Sequence, residues 1–284
     1  MRPVLLGVMV DRSASWDWTP AVTALKGFFA DPRSQGVSAS LQFFPFSKDK
    51  STHCDAALYA NPAVPMTPLP EPTRFATAID AVTSDLIGTP TGSALQGTFD
   101  YLQSLRPSYP DAQFAVVILT DGDPHECVQN ELSNVVALAG TVSSTMPVYV
   151  IGYGSLPNLN LIAAAGGTGA AILVDAANPA GAQDAFLAAI ESIRFSLVPC
   201  DVEIPPPPTG QTFDPMLVNV VFTPAGQSPM QMSLSADCTG DQGWRYDNPD
   251  SPTHITLCPT ACQSVKSAGN GQLSVEFGCA TRIY

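Results

Sequence analysis

The sequence predicts a doubly wound α/β domain followed by a small β-rich module. Up to about Leu197, short apolar runs alternate with longer amphipathic segments, which is typical of parallel strands joined by crossover helices. Val, Ile, Leu and Ala dominate most of the apolar runs, as strands buried on both faces of a sheet require. After Cys200 no helical period continues, and short β-like runs are separated by Gly, Pro and Asp. We therefore expect an α/β domain at 1–198, a proline-rich linker at 199–213 and a β module at 214–284.

Each element of the α/β domain follows from this alternation. The predicted strands are Pro3 to Val10, Ser38 to Phe46, Phe114 to Thr120, Val148 to Gly152 and Ala171 to Val174. The predicted helices are Ala21 to Ala30, Arg74 to Leu86, Ser93 to Leu105, Glu131 to Val142, Leu159 to Ala165 and Gly181 to Ile193. Between the second strand and the next helix, the polar and proline-rich stretch from Ser47 to Pro72 predicts a long surface loop.

The tail has a different pattern. A polyproline run, EIPPPPTG from Glu203 to Gly210, predicts a stiff linker. The runs LVNVVF, MQMSLS, WRYDN, HITLC and LSVEF that follow it predict short strands of a disulfide-bearing module.

Composition excludes some classes of function. The chain has 284 residues, 25 acidic against 12 basic side chains and a formal net charge of −13. Because phosphate binding needs a basic face, nucleic acid is not an expected partner. No apolar run reaches the roughly 18 to 20 residues of a membrane span, and no signal peptide precedes the first strand. Met1 and Arg2 therefore resemble the start of a trimmed chain that has lost an export signal or lipid anchor.

Three segments bring oxygen-bearing side chains to one edge of the predicted sheet. The first strand ends in DRSAS, with Asp11, Ser13 and Ser15 at alternate positions. The turn GTPTG carries Thr89 and Thr91, and Asp121 follows a buried strand in the sequence LTDG. Taken singly, a Ser or Thr before a helix is more often an N-cap, and Asp-Gly after a strand is more often a turn. Together they point to a ligand site beyond the carboxyl ends of the strands.

In the order strand-DxSxS, GTPTG and strand-TDG, these motifs resemble the von Willebrand factor A domain over roughly residues 3 to 197. The resemblance implies a Rossmann-like fold. It also places Asp11, Ser13, Ser15, Thr89 and Asp121 on the five positions of the metal-ion-dependent adhesion site of that family.

The chemistry of those residues is consistent with the implied metal. Three hydroxyls and two carboxylates form an oxygen shell that suits Mg²⁺, with Mn²⁺ or Ca²⁺ as alternatives. A vacant coordination position would then accept a carboxylate from a protein or an anionic glycan. Two departures from the family pattern are Arg12, which we expect to point away from the metal, and the additional acids Asp123 and Glu126.

Seven cysteines indicate an extracytoplasmic protein. Cys54 and Cys127 belong to the same sheet edge, so we expect a disulfide between them. The alternative is a Cys₂His₂ zinc site that adds His53 and His125. The tail holds five cysteines, an odd number, so one must be free or pair with something absent from this sequence.

The stretches GWRYDNPDSPTHITLCPTAC and VEFGCAT are similar to tails of secreted proteins and lipoproteins of myxobacteria. This resemblance implies a location in the cell envelope or outside the cell. It identifies no partner.

The resulting hypothesis is a non-enzymatic, metal-dependent adhesion or binding module. A structural assembly protein is the alternative. A metal-dependent hydrolase is the third reading, and it would need Glu126 or His125 as general base. No nucleophile elbow, P-loop or HExxH motif is present in the sequence.

Overall fold

The structure, a computed structural model, describes residues 3–15, 17–47, 49, 52–196, 200–204, 213–224, 226–239, 243–267 and 272–278. The chain divides into two compact units, Arg2–Ile190 and Glu191–Tyr284, called here the first and the second unit.

The first unit alternates strands and helices as predicted. Its strands are β1 (Val4–Asp11), β2 (Val37–Phe44), β3 (Val64–Pro68), β4 (Gln113–Thr120), β5 (Val148–Tyr153) and β6 (Ile172–Val174). Its helices are α1 (Thr19–Ala30), α2 (Ala56–Tyr59), α3 (Pro72–Asp80), α4 (Thr91–Leu105), α5 (Leu132–Val142), α6 (Leu159–Ala165) and α7 (Pro179–Ser196), the last of which continues into the second unit. Short 3₁₀ turns lie at Pro32–Ser34, Arg106–Ser108 and Val128–Asn130.

The strands form one six-stranded sheet in the order β3-β2-β1-β4-β5-β6. All neighbouring pairs are parallel except β2 with β3. Strand β1 lies at the centre and all eight of its residues are buried. Helices flank the sheet: residues of α4, α5 and α6 share a core cluster with Leu5 and Met9 of β1. The predicted α/β class and mostly parallel sheet are confirmed.

The predicted long loop is only partly a loop. Residues 64–68 form the edge strand β3, which pairs antiparallel with Ser38, Ala39 and Leu41 in the first half of β2. Pro65 and Pro68 are untypical of a strand, so the sequence does not predict one here. An edge strand tolerates proline because one row of its backbone groups needs no partner. Before β3, Cys54 of this segment is joined by its disulfide to the loop after β4.

Helix α3 is also shorter than predicted. It ends at Asp80 and not at Leu86. Leu86 instead forms a β-bridge with Ser13, and its carbonyl accepts a hydrogen bond from the Ala14 N–H at 2.7 Å. This pairing requires extended backbone, so the helix cannot continue to that residue.

The second unit contains two three-stranded sheets. One has the order β10-β11-β7, from β7 (Asp201–Glu203), β10 (Trp244–Tyr246) and β11 (His254–Leu257). The other has the order β12-β8-β9, from β8 (Val218–Thr223), β9 (Met230–Met232) and β12 (Gln272–Phe277). A 3₁₀ turn lies at Pro215–Leu217, and a helix, α8 (Pro259–Ser267), follows β11. Their core contains the fully buried Trp244.

Two features of this unit differ from the prediction. Strand β7 pairs with β11 inside the range predicted as linker, whereas residues 205–212 lie outside the described residues. Helix α8 contradicts the expectation that no helix occurs after Cys200. It has nine residues and begins with a proline, and among its described side chains only Ala261 and Val265 are buried, so few apolar positions mark it in the sequence.

Three disulfides join the described cysteines. Cys54 pairs with Cys127 as predicted, at a Cα–Cα distance of 5.8 Å. Within the second unit, Cys200 pairs with Cys262 and Cys238 with Cys258. Cys279 lies outside the described residues. Disulfides of this kind indicate an oxidising environment. In the described part of the chain, no helix is both long and apolar enough to cross a membrane.

Candidate metal centre

Four of the five predicted site residues contact one another where β1 and β4 end. The hydroxyls of Ser13 and Ser15 lie 2.8 Å apart, and the Ser13 hydroxyl donates to Asp121 Oδ1 at 3.3 Å. The Ser15 hydroxyl also bonds to the Asp121 side chain. Asp11 accepts a hydrogen bond from the backbone N–H of Ser13 at 2.8 Å. The two motifs therefore meet, although 108 residues separate Ser13 from Asp121.

Thr89 completes this group from the turn before α4. Its side chain is buried, and a β-carbon added at Gly122 would lie 3.2 Å from the Thr89 Oγ1. The Thr89 carbonyl accepts from the backbone N–H of His125 at 3.1 Å, which ties the turn to the loop after β4. We call Asp11, Ser13, Ser15, Thr89 and Asp121 the oxygen cluster.

The hydroxyls are not helix caps. Helix α1 has Trp18 at its N-cap and helix α4 has Pro90, and neither helix start receives a side-chain capping bond. The simpler interpretation of Ser13, Ser15 and Thr89 as caps is therefore wrong. Their hydroxyls lie at the end of the sheet without capping a helix.

Asp11 is also held by Thr120, the residue before Asp121 in the LTDG motif. Thr120, the last residue of β4, donates to Asp11 Oδ2 at 2.6 Å, and its hydroxyl accepts from the Gly122 N–H at 3.2 Å. Both carboxylate oxygens of Asp11 thus have donors, one from Ser13 just after β1 and one from Thr120 in β4. The sequence predicts no contact of Thr120 with Asp11, because a threonine at the end of a buried strand is typical of an ordinary β-strand residue.

Burial destabilises the ionised forms of the two carboxylates in the cluster, Asp11 and Asp121. Burial raises the pKa of Asp11 to about 7, against the lowering effect of its hydrogen bonds from Thr120 and Ser13. Burial also raises the pKa of Asp121 above its ordinary value, despite hydrogen bonds from Ser15 and Ser13. A cation beside them would reverse this effect, because an opposite charge favours the ionised form.

The nearest arginine does not supply that charge. Arg12 turns away from the cluster, as predicted, and its Nε and Nη2 donate to the carbonyls of Pro45 and Phe46 at 3.0 and 2.7 Å. This guanidinium instead joins the end of β1 to the segment that follows β2.

The geometry of the cluster suits a small octahedral cation. Mg²⁺ binds oxygen at about 2.0–2.1 Å, so neighbouring ligands of an octahedron lie about 2.9 Å apart. The Ser13–Ser15 spacing of 2.8 Å and the Ser13–Asp121 spacing of 3.3 Å bracket that value. Ser15 is exposed and Asp121 half-buried, so the cluster is open to solvent on their side. In the described residues, no group of three or more His, Cys, Asp and Glu side chains is placed to hold a metal. The oxygen cluster has only two such side chains.

A second polar contact lies beside the cluster. His53 is 1% exposed, and its Nδ1 lies 2.7 Å from Glu126 Oε2 and its Nε2 2.9 Å from the Ser47 carbonyl. Both ring nitrogens of His53 therefore have a partner, one in the loop after β4 and one in the segment after β2. The zinc alternative is wrong, because the disulfide uses both cysteines and His53 is bound to Glu126.

The Glu126 carboxylate also explains one glycine. Gly88 has φ +102, and a β-carbon there would overlap the Glu126 carboxylate. The sequence contains one signal for the His53–Glu126 contact: each residue directly precedes a cysteine of the predicted disulfide. The other additional acid, Asp123, accepts from the Asn158 side chain at 2.9 Å.

No protein-family model and no curated protein matches this sequence. Among solved structures, the chain is similar to the VWA domain of SpRpn10, with 10% identity and a TM-score of 0.42 over 64% of this chain and 93% of that one. It is also similar to a von Willebrand factor type A protein from Catenulispora acidiphila, with 15% identity, a TM-score of 0.46 and coverage of 98%. This chain spans 59% of that structure.

A third structure is the ArnB paralog VWA2 from Sulfolobus acidocaldarius, with 10% identity and a TM-score of 0.38 over 99% of this chain and 67% of that one. All three likenesses are distant. The functional assignment rests instead on the residues of the oxygen cluster.

Proposed function

We propose that this chain is a metal-dependent binding module of the von Willebrand factor A type, in which the oxygen cluster holds a divalent cation that binds an acidic group of a partner. Ser13, Ser15 and Thr89 would supply hydroxyl ligands, and Asp11 and Asp121 carboxylates, directly or through water. The cation would be Mg²⁺, with Mn²⁺ or Ca²⁺ as alternatives. When bound, it supplies a positive centre that attracts a carboxylate of a protein or a glycan.

The observation that carries this proposal is the direct contact of Ser13, Ser15 and Asp121 at spacings that fit an octahedral shell. Burial of the two carboxylates supports it as well. Burial raises the pKa of Asp11 and of Asp121, so their ionised forms lack a compensating positive charge, which a bound cation would supply. The hydroxyl ligands contribute no charge of their own, so the cation would keep an attraction for an incoming acid.

The surroundings favour binding over catalysis. A hydrolase would need a general base beside the cation. Of the two candidates, Glu126 is bound to His53, and the exposed His125 directs its Nδ1 to the Asp123 carbonyl at 3.2 Å. We infer a non-enzymatic module. The three disulfides support an extracytoplasmic location, as a secreted protein or an envelope lipoprotein.

Titration calorimetry on chelator-stripped protein tests the proposal. We expect one Mg²⁺ or Mn²⁺ ion to bind per chain, more tightly than Zn²⁺, and at least about tenfold weaker binding in Asp121→Ala because a charged ligand is lost. Asp111→Ala, which removes an exposed carboxylate just before β4, is the matched control and should bind like wild type. Unchanged binding in Asp121→Ala would refute the assignment.

A further inference from the structure

The disulfide beside the oxygen cluster is more accessible than the two disulfides of the second unit. Cys54 is exposed and Cys127 is half-buried. The rate of thiol–disulfide exchange depends on how easily a thiolate reaches one sulfur of the bond. A reductant should therefore act on the Cys54–Cys127 bond first. The cysteines of the other two disulfides are half-buried or buried: Cys200, Cys238, Cys262 and Cys258.

The loop that carries Cys127 has a strained backbone. Glu126 has φ 70 and Cys127 has φ 50, so two consecutive residues other than glycine lie in the left-handed region. Residues with a β-carbon avoid this region because the β-carbon crowds the following carbonyl oxygen. Such a conformation persists only where the surrounding structure enforces it.

Contacts from the segment after β2 enforce this conformation. Cys54 holds Cys127 through the disulfide, and the preceding residue, His53, lies 2.7 Å from Glu126 Oε2 through its Nδ1. The Gln129 side chain donates to the Cys54 carbonyl at 2.9 Å. Two adjacent residues of one segment thus hold the two adjacent strained residues of the other.

The far side of the loop is anchored independently of the disulfide. Asn130 is fully buried, and its side-chain oxygen accepts from the Ser93 N–H at 2.9 Å in the first turn of α4. A β-carbon at Gly92 would overlap the Gln129 carbonyl, so this turn packs directly on α4. Opening of the disulfide should therefore relax residues 123–127 and leave the turn at 128–130 in place.

The strained part of the loop contacts the oxygen cluster at Thr89. The Thr89 carbonyl accepts from the Thr91 N–H of its own turn at 2.8 Å and from the His125 N–H at 3.1 Å. The Glu126 carboxylate lies against Gly88, where a β-carbon would overlap it. The position of Thr89 therefore depends on the loop that the disulfide holds.

We propose that the Cys54–Cys127 disulfide is a redox switch: when it is intact it holds Thr89 in place, and its reduction weakens cation binding at the oxygen cluster. This inference rests on the proposed function. The loop keeps its strained conformation while the bond is closed and relaxes away from Thr89 when the bond opens.

The reductant is a dithiol. One of its thiolates attacks the Cys54 sulfur, and Cys127 leaves as a thiolate that takes up a proton. The second thiol of the reductant, as a thiolate, then attacks its own sulfur in the mixed disulfide and releases Cys54 as a thiol. The dithiol supplies two electrons and becomes a disulfide, and the two cysteines become thiols.

Partial reduction of the full chain tests the order of opening. Thiols that are free at the start are blocked, limiting dithiothreitol is added, and new thiols are alkylated and mapped by mass spectrometry. We expect Cys54 and Cys127 to be alkylated before the cysteines of the second unit. Earlier alkylation of the second unit would overturn the proposal.

Hydrogen exchange in EDTA tests the movement of the loop without a metal. In the double variant Cys54→Ser and Cys127→Ser, the His125 amide should lose protection and the Ile118 amide in β4 should keep it. An unchanged His125 amide would overturn the proposal, because its bond to the Thr89 carbonyl would then not depend on the disulfide.

Titration calorimetry with Mg²⁺ tests the consequence. The double variant should bind about tenfold more weakly than oxidised wild type, because a contact that orients a ligand is lost. The matched control, Cys238→Ser with Cys258→Ser, removes a disulfide of the second unit and should bind like wild type. Circular dichroism checks that each variant is folded, and alkylated wild type from the partial reduction replaces a double variant that is not.

The outcomes separate the two proposals. Equal Mg²⁺ binding by oxidised wild type and the double variant would overturn the redox switch and leave the proposed function standing. Absence of Mg²⁺ binding in oxidised wild type would refute the proposed function, and the redox switch with it.

Discussion

The two units differ in what holds them together. The first unit has a six-stranded sheet whose central strand is buried along its whole length, and its one disulfide lies in the loops beside the oxygen cluster. The second unit has two three-stranded sheets, a small core and two disulfides. A large core stabilises a fold by burial alone, whereas a small one needs cross-links. The comparison teaches that a disulfide can stabilise a small fold in one unit and join the loops beside the oxygen cluster in the other.

Reduction of the disulfides should give the largest difference in stability between the two units. In the full chain, we expect dithiothreitol to unfold the second unit, because each native disulfide of a small domain contributes about 2–5 kcal/mol. The first unit should keep its sheet. Hydrogen exchange with mass spectrometry checks this: amides of β8 and β11 should lose protection, and those of β1 and β4 should retain it.

The loop around Cys127 is the internal control, since its exchange should rise without that of the neighbouring β4. Equal loss of protection in both units would contradict the comparison. It would mean that the first unit also depends on its cross-link.

The buried cluster should make the metal-free first unit sensitive to pH. The folded-state pKa of Asp11 is raised to about 7, so the folded state binds more protons than the unfolded state from about pH 4 to pH 7. The free energy of unfolding in EDTA should therefore fall as pH rises through that window, by about 2 to 3 kcal/mol between pH 5 and 7.5.

Urea unfolding followed by circular dichroism measures this fall. Mg²⁺ should reduce it, and Asp11→Asn, which cannot ionise, should flatten it in EDTA. A free energy of unfolding that rises over the same window would contradict the account of Asp11.

The smallest effect on stability is expected for Ser13→Ala. It removes one hydroxyl at the end of the sheet, leaves the apolar core intact and should change the free energy of unfolding by about 1 kcal/mol or less. Mg²⁺ binding should nevertheless fall at least about tenfold, because a ligand is lost. Thermal unfolding and calorimetry on the same sample compare the two effects. A large loss of stability would mean that Ser13 serves the fold more than the site.

The sequence predicts those features that depend on local pattern. The alternation of β1, α1, β2 and the later strands is visible because parallel strands buried on both faces are continuously apolar. The meeting of the segments that carry the oxygen cluster was predicted because parallel strands end at a common edge, and the resemblance to the von Willebrand factor A domain indicated the five residues. The five β-like runs of the tail also correspond to strands.

The features that were missed depend on partners distant in sequence. Strand β3 exists because the edge of β2 accepts a proline-containing segment, and α8 carries Cys262, which a disulfide joins to Cys200. The contact of His53 with Glu126 and that of Thr120 with Asp11 span 73 and 109 residues. Such long-range contacts cannot be predicted from a local sequence pattern.

The most direct test of the central claim is a crystal structure of the protein soaked with Mn²⁺, with anomalous diffraction data. The account predicts one anomalous peak about 2.2 Å from the hydroxyl oxygens of Ser13 and Ser15, with Thr89 and Asp121 around it, and no peak in Asp121→Ala. A peak elsewhere, or a cluster in which Ser13 and Ser15 stay hydrogen-bonded to each other with no metal between them, would contradict the claim that these five oxygens form a cation site.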